Sequence, residues 1–201
     1  MSDTPSDKGE VEEKARASSE PPMSEERRTV IKWLWRVPVL ATLVAAGWGV
    51  REAYQVHFNK ARPDENPTFT PKFPQRVAAL SEFQKVWSAA PFVLEGTPAL
   101  ALRLPEPVAG GIGANGNHYA AFSQVCTHLG CLVNLNDNLE AINFAFNYRT
   151  EHPALVCPCH LSVFAPLESG RAVSGPAVEP LQRVQLRVEE GVLFAVGLEE
   201  V

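Results

Sequence analysis

Cys126-Thr127-His128-Leu129-Gly130-Cys131 and Cys157-Pro158-Cys159-His160-Leu161-Ser162-Val163-Phe164 contain all four cysteines of this 201-residue chain. They also hold two of its five histidines. Each box pairs one Cys with one His at close spacing, Cys126 with His128 and Cys157 with His160, and each has one further Cys, Cys131 or Cys159. Two loops therefore offer two thiolates and two imidazoles to a metal centre, with a spare thiol on each loop. Covalent haem attachment needs C-x-x-C-H, which neither box provides. A structural zinc site takes two Cys and two His but leaves the spare thiols unexplained. Two disulfides use the thiols and give the histidines no role.

A fourth reading accounts for all six residues. C-x-H-x-x-C followed by C-x-C-H-x-S resembles the paired boxes of the Rieske iron–sulfur proteins, over roughly residues 90–201. The resemblance implies that Cys126 and Cys157 bind one iron of a single [2Fe–2S] cluster and that His128 and His160 bind the other. It further implies a disulfide between Cys131 and Cys159 that ties the two loops together. The chemistry favours mixed ligation. Replacing two thiolates by neutral imidazoles removes negative charge, and the potential rises to roughly −150 to +300 mV, against about −400 mV for plant-type ferredoxins. The imidazoles also titrate, so electron and proton uptake are coupled.

The surroundings of the boxes carry further expectations from the same resemblance. Ser162 stands where the family has a Ser bonded to a bridging sulfide. Phe164 replaces the Tyr of high-potential members and cannot donate that Tyr's hydrogen bond. Leu161 replaces a Gly; a positive φ there would strain a Leu, and a slightly different loop is expected instead. Gly175-Pro176-Ala177 matches the proline loop that covers the cluster, and Leu129 caps it from the first box. The other histidines, His57, His118 and His152, are read as surface residues.

Outward from the boxes, the region from Arg76 to the end reads as mostly β. Short apolar runs at Phe92–Leu94, Ala99–Leu104, Tyr119–Val125, Ala154–Cys157 and Ala172–Ser174 are bounded by Pro, Gly and Asn. Leu181–Val188 alternates apolar and polar residues, Glu190-Gly191 turns, and Val192–Val196 returns as a hairpin. Gly110–Asn117 reads as a loop at a hairpin tip, Asn134–His152 as an insertion, and Val77–Ala90 as a short helix. The fold class is thus all-β, a Rieske fold with an antiparallel base and a cluster-binding subdomain, preceded by one N-terminal transmembrane helix.

Residues 1–26 are polar and charged with almost no large apolar side chains, and read as a disordered cytoplasmic tail. Residues 27–56 hold the apolar run VPVLATLVAAGWGV, Val37–Val50, which spans a bilayer when counted from Val30 with Lys32 and Arg36 reaching the head groups. Trp33, Trp35 and Trp48 suit the membrane interfaces. Arg27, Arg28, Lys32 and Arg36 before or at the start of the span favour a cytoplasmic N-terminus and an outward domain. Arg27-Arg28 with Ile31-Lys32 resembles a twin-arginine export signal, with Val30 in place of Phe. Residues 57–75 contain Pro63, Pro67, Pro71 and Pro74 and read as an extended hinge linker to a domain at 76–201.

Net charge is −5. It excludes the basic face of a nucleic-acid binder, so no nucleic-acid partner is expected. The spare cysteine pair is found in the quinol-linked branch of the resembled family and is lacking in soluble ferredoxins that feed oxygenases. The resemblance then implies a single-pass iron–sulfur subunit in the cytoplasmic membrane. It would belong to a quinol:cytochrome c oxidoreductase, with cytochrome b and a c-type cytochrome as partners and His128 or His160 meeting quinol. The alternative is the small subunit of an arsenite-oxidase-like molybdenum enzyme, towards which Phe164 and Leu161 lean.

Overall fold

The structure, a computed structural model, describes residues 25–200. The reading of residues 1–26 therefore lies outside the described residues, except that Glu25 and Glu26 belong to a helix. The chain divides into two units, one ending at Val50 and one starting at Arg51.

Helix α1, Glu25–Phe58, has 34 residues and one stretch apolar enough to cross a membrane. At 1.5 Å per residue it is about 50 Å long, more than the roughly 30 Å of a hydrocarbon core. Its apolar residues, including Trp33, Trp35 and Trp48, are exposed along their length. Among the described residues none of the helix is buried, as expected of a lipid-facing surface. Pro38 sits inside the helix, and the Thr42 hydroxyl donates back to its carbonyl at 2.8 Å.

The second unit is built on two antiparallel sheets. Strands β1 (Phe69–Ala79), β2 (Ala89–Leu94), β3 (Thr97–Leu104), β4 (Ile112–Ala114), β5 (Asn117–Ser123), β10 (Arg183–Glu189) and β11 (Val192–Glu199) form the larger sheet. Its order is β1-β11-β10-β5-β3-β2, with β4 paired to β5. The smaller sheet orders β6 (Asn134–Asn136), β7 (Ala154–Cys157), β8 (Ser162–Ala165) and β9 (Arg171–Ser174) consecutively. One core, around Leu102, Phe122, Leu155, Phe164 and Leu181, also contains Cys126 and Cys157. A second core lies around Phe83, Leu94, Tyr119, Leu186 and Leu193.

The β10–β11 hairpin follows the alternating pattern. Its turn residues Glu190 and Gly191 take φ of 49° and 78°, the primed-turn geometry that matches strand twist. The tip expected in Gly110–Asn117 is the Asn115-Gly116 turn between β4 and β5.

Two expectations are corrected. Residues 57–75 are not one linker: α1 continues through Phe58, and β1 begins at Phe69. Pro71 and Pro74 are tolerated because β1 is an edge strand, with its register interrupted between Pro71 and Gln75. The folded region thus starts ahead of Arg76. Val77–Ala90 is not a helix: Val77–Ala79 close β1, with Ala78 and Ala79 paired to β11, Leu80–Glu82 make a single 3-10 turn, and Ala89 opens β2. The Asn134–His152 stretch, read as an insertion, contains β6 and a short helix α2, Leu139–Ala145, capped by the Asn138 side chain.

Candidate metal centre

Both boxes are loops pinched off by strand-like pairs. Val125 bridges Leu132 just outside the first box, and Cys126 N–H donates to the Cys131 carbonyl at 2.9 Å. Gly130 N–H closes the turn onto the Cys126 carbonyl at 2.8 Å. In the second box Cys157 ends β7, Ser162 opens β8, and the two pair in register. The four residues between them, Pro158 to Leu161, form the hairpin loop. Short ladders on both sides fix the positions of the functional side chains.

Donor atoms separate by type. Cys126 and Cys157 are buried free thiols, 3% and 1% exposed. His160 is exposed and His128 partly so, and their rings meet edge to face with centroids 4.9 Å apart. Cys131 and Cys159 are joined by a disulfide with Cα atoms 6.6 Å apart, so the expected bond is present. Burial pushes the Cys126 thiol up from its ordinary pKa. Backbone N–H groups of His128 and Leu129 pull the other way, while the neighbouring Cys157 adds to the rise.

This donor set fits an iron–sulfur cluster. Two buried thiols lie next to each other with no bond between them. His128 Nδ1 is buried with no hydrogen-bond partner among the described residues, a costly arrangement unless something else occupies that lone pair. Loading a metal must displace thiol protons, so occupancy is expected to fall in acid.

Ser162 is fully buried, and its Oγ accepts the Ala177 N–H at 3.1 Å. That leaves its own proton to donate elsewhere. Phe164 is fully buried in the core that holds both thiols. Leu129 is 70% exposed and stands at the surface beside His128. Leu161 has a positive φ of 62°, the condition under which a Leu at this position is strained. His57 and His152 are exposed, and His152 stacks on Trp87 at 6.2 Å. His118 is half-buried in β5.

The loop Gly175–Ala177 seats tightly against the second box. A Cβ at Gly175 would lie 2.5 Å from the Leu161 carbonyl oxygen and 2.6 Å from Ser162 Cα, and Gly175 has φ of 78°. Both obstacles are backbone, and the left-handed region adds its own cost. Gly175→Ala is therefore expected to destabilise the domain by roughly 2–3 kcal/mol and to lower cluster occupancy. Urea unfolding and the visible absorption of the bound cluster check this; wild-type values in both would show that the loop yields easily.

Sequence reasoning missed Lys60 and Arg183. Lys60 Nζ donates to the Gly175 and Ala177 carbonyls. Arg183 is 2% exposed and pairs with Glu199. Alternation in β10 groups Arg183 with the exposed Gln185, Arg187 and Glu189 rather than with the inward Val184 and Leu186, so nothing in the pattern signals that its charge is buried.

Residues 89–185 match the family described as Rieske [2Fe-2S] domain. The chain is 38% identical over 80 residues to the cytochrome bc1 complex Rieske iron–sulfur subunit of Corynebacterium glutamicum, covering 39% of this chain and 17% of that one. It is 33% identical over 98 residues to the iodate reductase subunit IdrB of a Pseudomonas species, covering 48% and 45%. The aligned stretch thus spans less than half the length of either relative. Among solved structures, the soluble domain of Rieske protein II from Sulfolobus acidocaldarius matches at 26% identity and a TM-score of 0.47, over 63% of this chain and 78% of that one. The paired thiol–imidazole boxes, the two antiparallel sheets and the family match agree: residues 89–185 form a Rieske [2Fe-2S] domain, the kind that binds a [2Fe–2S] cluster, similar in sequence to bc1 Rieske subunits.

Proposed function

We propose that the chain is the membrane-anchored Rieske subunit of a quinol:cytochrome c oxidoreductase. In this reading it takes one electron from quinol and passes it to a c-type haem. The observation that carries the proposal is the split between two buried thiols and two imidazoles that reach the surface, His160 exposed and His128 partly so. Cys126 and Cys157 would hold one iron inside the core, while His128 and His160 would hold the other at the surface. A [2Fe–2S] centre bound there supplies one-electron redox chemistry. The residues of the chain do the rest. The exposed imidazole of His160 or His128 takes a hydrogen bond, then a proton, from a quinol hydroxyl held by a cytochrome b partner. The apolar side chains of Leu129 and Leu161 beside them exclude water from that contact. Arg27, Arg28, Lys32 and Arg36 at the start of α1 favour a cytoplasmic N-terminus. The Cys131–Cys159 disulfide suits the oxidising outer side.

EPR of the reduced protein in its membrane tests the proposal. The g values are expected to shift when a quinol-site inhibitor is added. The midpoint potential is expected to fall by about 59 mV per pH unit wherever one proton accompanies one electron. An unshifted signal with a pH-independent potential would rule quinol out as the donor.

A second reading is the electron-transfer subunit of a molybdenum-type oxyanion oxidoreductase. One observation favours it. The proline-rich segment is tied to the domain, with Ala61 N–H on the Val178 carbonyl at 3.0 Å and Arg183 on the Asp64 carbonyl at 2.7 Å. A statically docked subunit has no need of a free hinge. Co-purification with a molybdopterin-bearing subunit in place of cytochrome b would decide for this reading.

Phe164 sets an expectation under either reading. Phe164→Tyr adds a hydroxyl in the core around Cys126 and Cys157, and a hydrogen bond to a ligand sulfur stabilises the more negative, reduced form. The midpoint potential is expected to rise by roughly 30–60 mV, up to a tenfold change in the one-electron reduction constant. An unmoved potential in voltammetry would rule out the missing hydroxyl as a determinant.

A further inference from the structure

The loop Gly175-Pro176-Ala177 is gripped from two sides. On one, Ala177 N–H donates to the buried Ser162 Oγ, and Gly175 abuts the Leu161–Ser162 backbone. On the other, the ammonium of Lys60 donates to two carbonyls of the loop, those of Gly175 and Ala177, from a position more than a hundred residues away in the chain. Lys60 is only part-exposed, and burial lowers its pKa. An ammonium withdrawn from water needs such partners, because each lost hydration contact must be replaced. The next residue continues the attachment, with Ala61 N–H on the Val178 carbonyl.

We infer that Lys60 is a positioning residue for the iron–sulfur centre. It clamps the covering loop shut, and its fixed positive charge raises the midpoint potential. This rests on the reading that the cluster lies between the two boxes. The physical argument has two steps. Reduction adds one negative charge to a site of low dielectric, so a nearby cation stabilises the reduced form more than the oxidised form. The two carbonyls that Lys60 engages are also fixed towards the ammonium, so their negative ends stay turned to it. The segment after α1 thereby does more than tether the domain: it contributes directly to the electrostatics of the centre.

The test uses the full chain, purified with its cluster. Three variants separate charge from clamping: Lys60→Gln keeps a donor without charge, Lys60→Met removes both, and Lys60→Arg keeps both. Redox titration followed by EPR is expected to show a three- to tenfold fall in the one-electron reduction constant for Lys60→Gln and Lys60→Met. At 59 mV per tenfold, that is about 30–60 mV. Lys60→Arg is expected to restore the wild-type value. Hydrogen exchange of the peptide that holds Ala177, followed by mass spectrometry in the loaded chain, is expected to quicken in Lys60→Met and to stay slow in Lys60→Arg. Faster exchange with an unmoved potential would reduce Lys60 to a structural strap and overturn the inference. Equal shifts in Lys60→Arg and Lys60→Met, or unchanged exchange, would also overturn it. The ligand reading fails separately, if the reduced Rieske EPR signal survives removal of both His128 and His160.

Discussion

The double substitution Cys131→Ser/Cys159→Ser is expected to lower unfolding stability by about 3.5 kcal/mol, from the chain entropy of the closed loop alone. The bond joins residues 28 apart, one from each cluster-binding loop, and closes a segment that includes β6, α2 and β7. Without it the two boxes are held together mainly by core packing of Cys126 and Cys157 against Leu155, Phe164 and their neighbours. Cluster occupancy is expected to fall along with stability. A second consequence concerns ligand competition. The sulfurs of Cys131, Cys157 and Cys159 lie within 4.8 Å of one another. Breaking the disulfide while keeping the sulfurs would place rival thiolates beside Cys157. The single substitution Cys131→Ser, which frees Cys159, is therefore expected to give a lower yield of intact cluster than the double substitution. Urea unfolding and the EPR signal per chain check both points. Equal cluster yields in the two variants would exclude ligand competition, and a stability loss under 1 kcal/mol would exclude the entropic role.

How much of this was legible in the sequence depends on whether the information was local. The two boxes are legible because Cys and His at two- and three-residue spacings have few chemical uses, and a β-hairpin loop displays them in that order. The Leu181–Val196 hairpin is legible because alternation and the Glu190-Gly191 turn agree at each level. Strand β1 is not. Its prolines argue against a strand interior, and only its place at the sheet edge makes Pro71 and Pro74 acceptable. Residues 77–90 mislead in the opposite direction. Val77, Leu80, Phe83 and Trp87 recur at helical spacing, yet pairing of Ala78 and Ala79 with β11 and a positive φ of 71° at Trp87 break the period. Lys60 was invisible because its partners are backbone carbonyls, which no residue type advertises. Leu161 shows the limit of reasoning by substitution: a Leu stands at a left-handed φ of 62°, where its side chain argues against one.

Arg183 gives the largest expected loss from a single side chain. It is 2% exposed, and its guanidinium and backbone N–H both reach the Glu199 carboxylate, with Nε and the backbone each at 2.9 Å from Oε2. Its Nη1 also donates to the Asp64 carbonyl at 2.7 Å and the Ala109 carbonyl at 3.3 Å. One side chain thus joins β10, β11, the β3–β4 connection and the segment after α1. Arg183→Met keeps much of the apolar stem but strands Glu199, whose side chain is only 12% exposed, as an unpaired charge. The expected cost is about 4 kcal/mol, within the range found when one partner of a buried ion pair is removed. Most of that cost is the desolvated carboxylate rather than the pair itself, so the double substitution Arg183→Met/Glu199→Gln is expected to recover more than half of it. The Asp64 and Ala109 carbonyls stay unpaired in both variants, so recovery stops short of wild type. Urea unfolding of the four proteins of this cycle measures the terms separately. If the double variant is no more stable than Arg183→Met, the stranded charge is not the source of the loss, and the two carbonyls that Arg183 holds are.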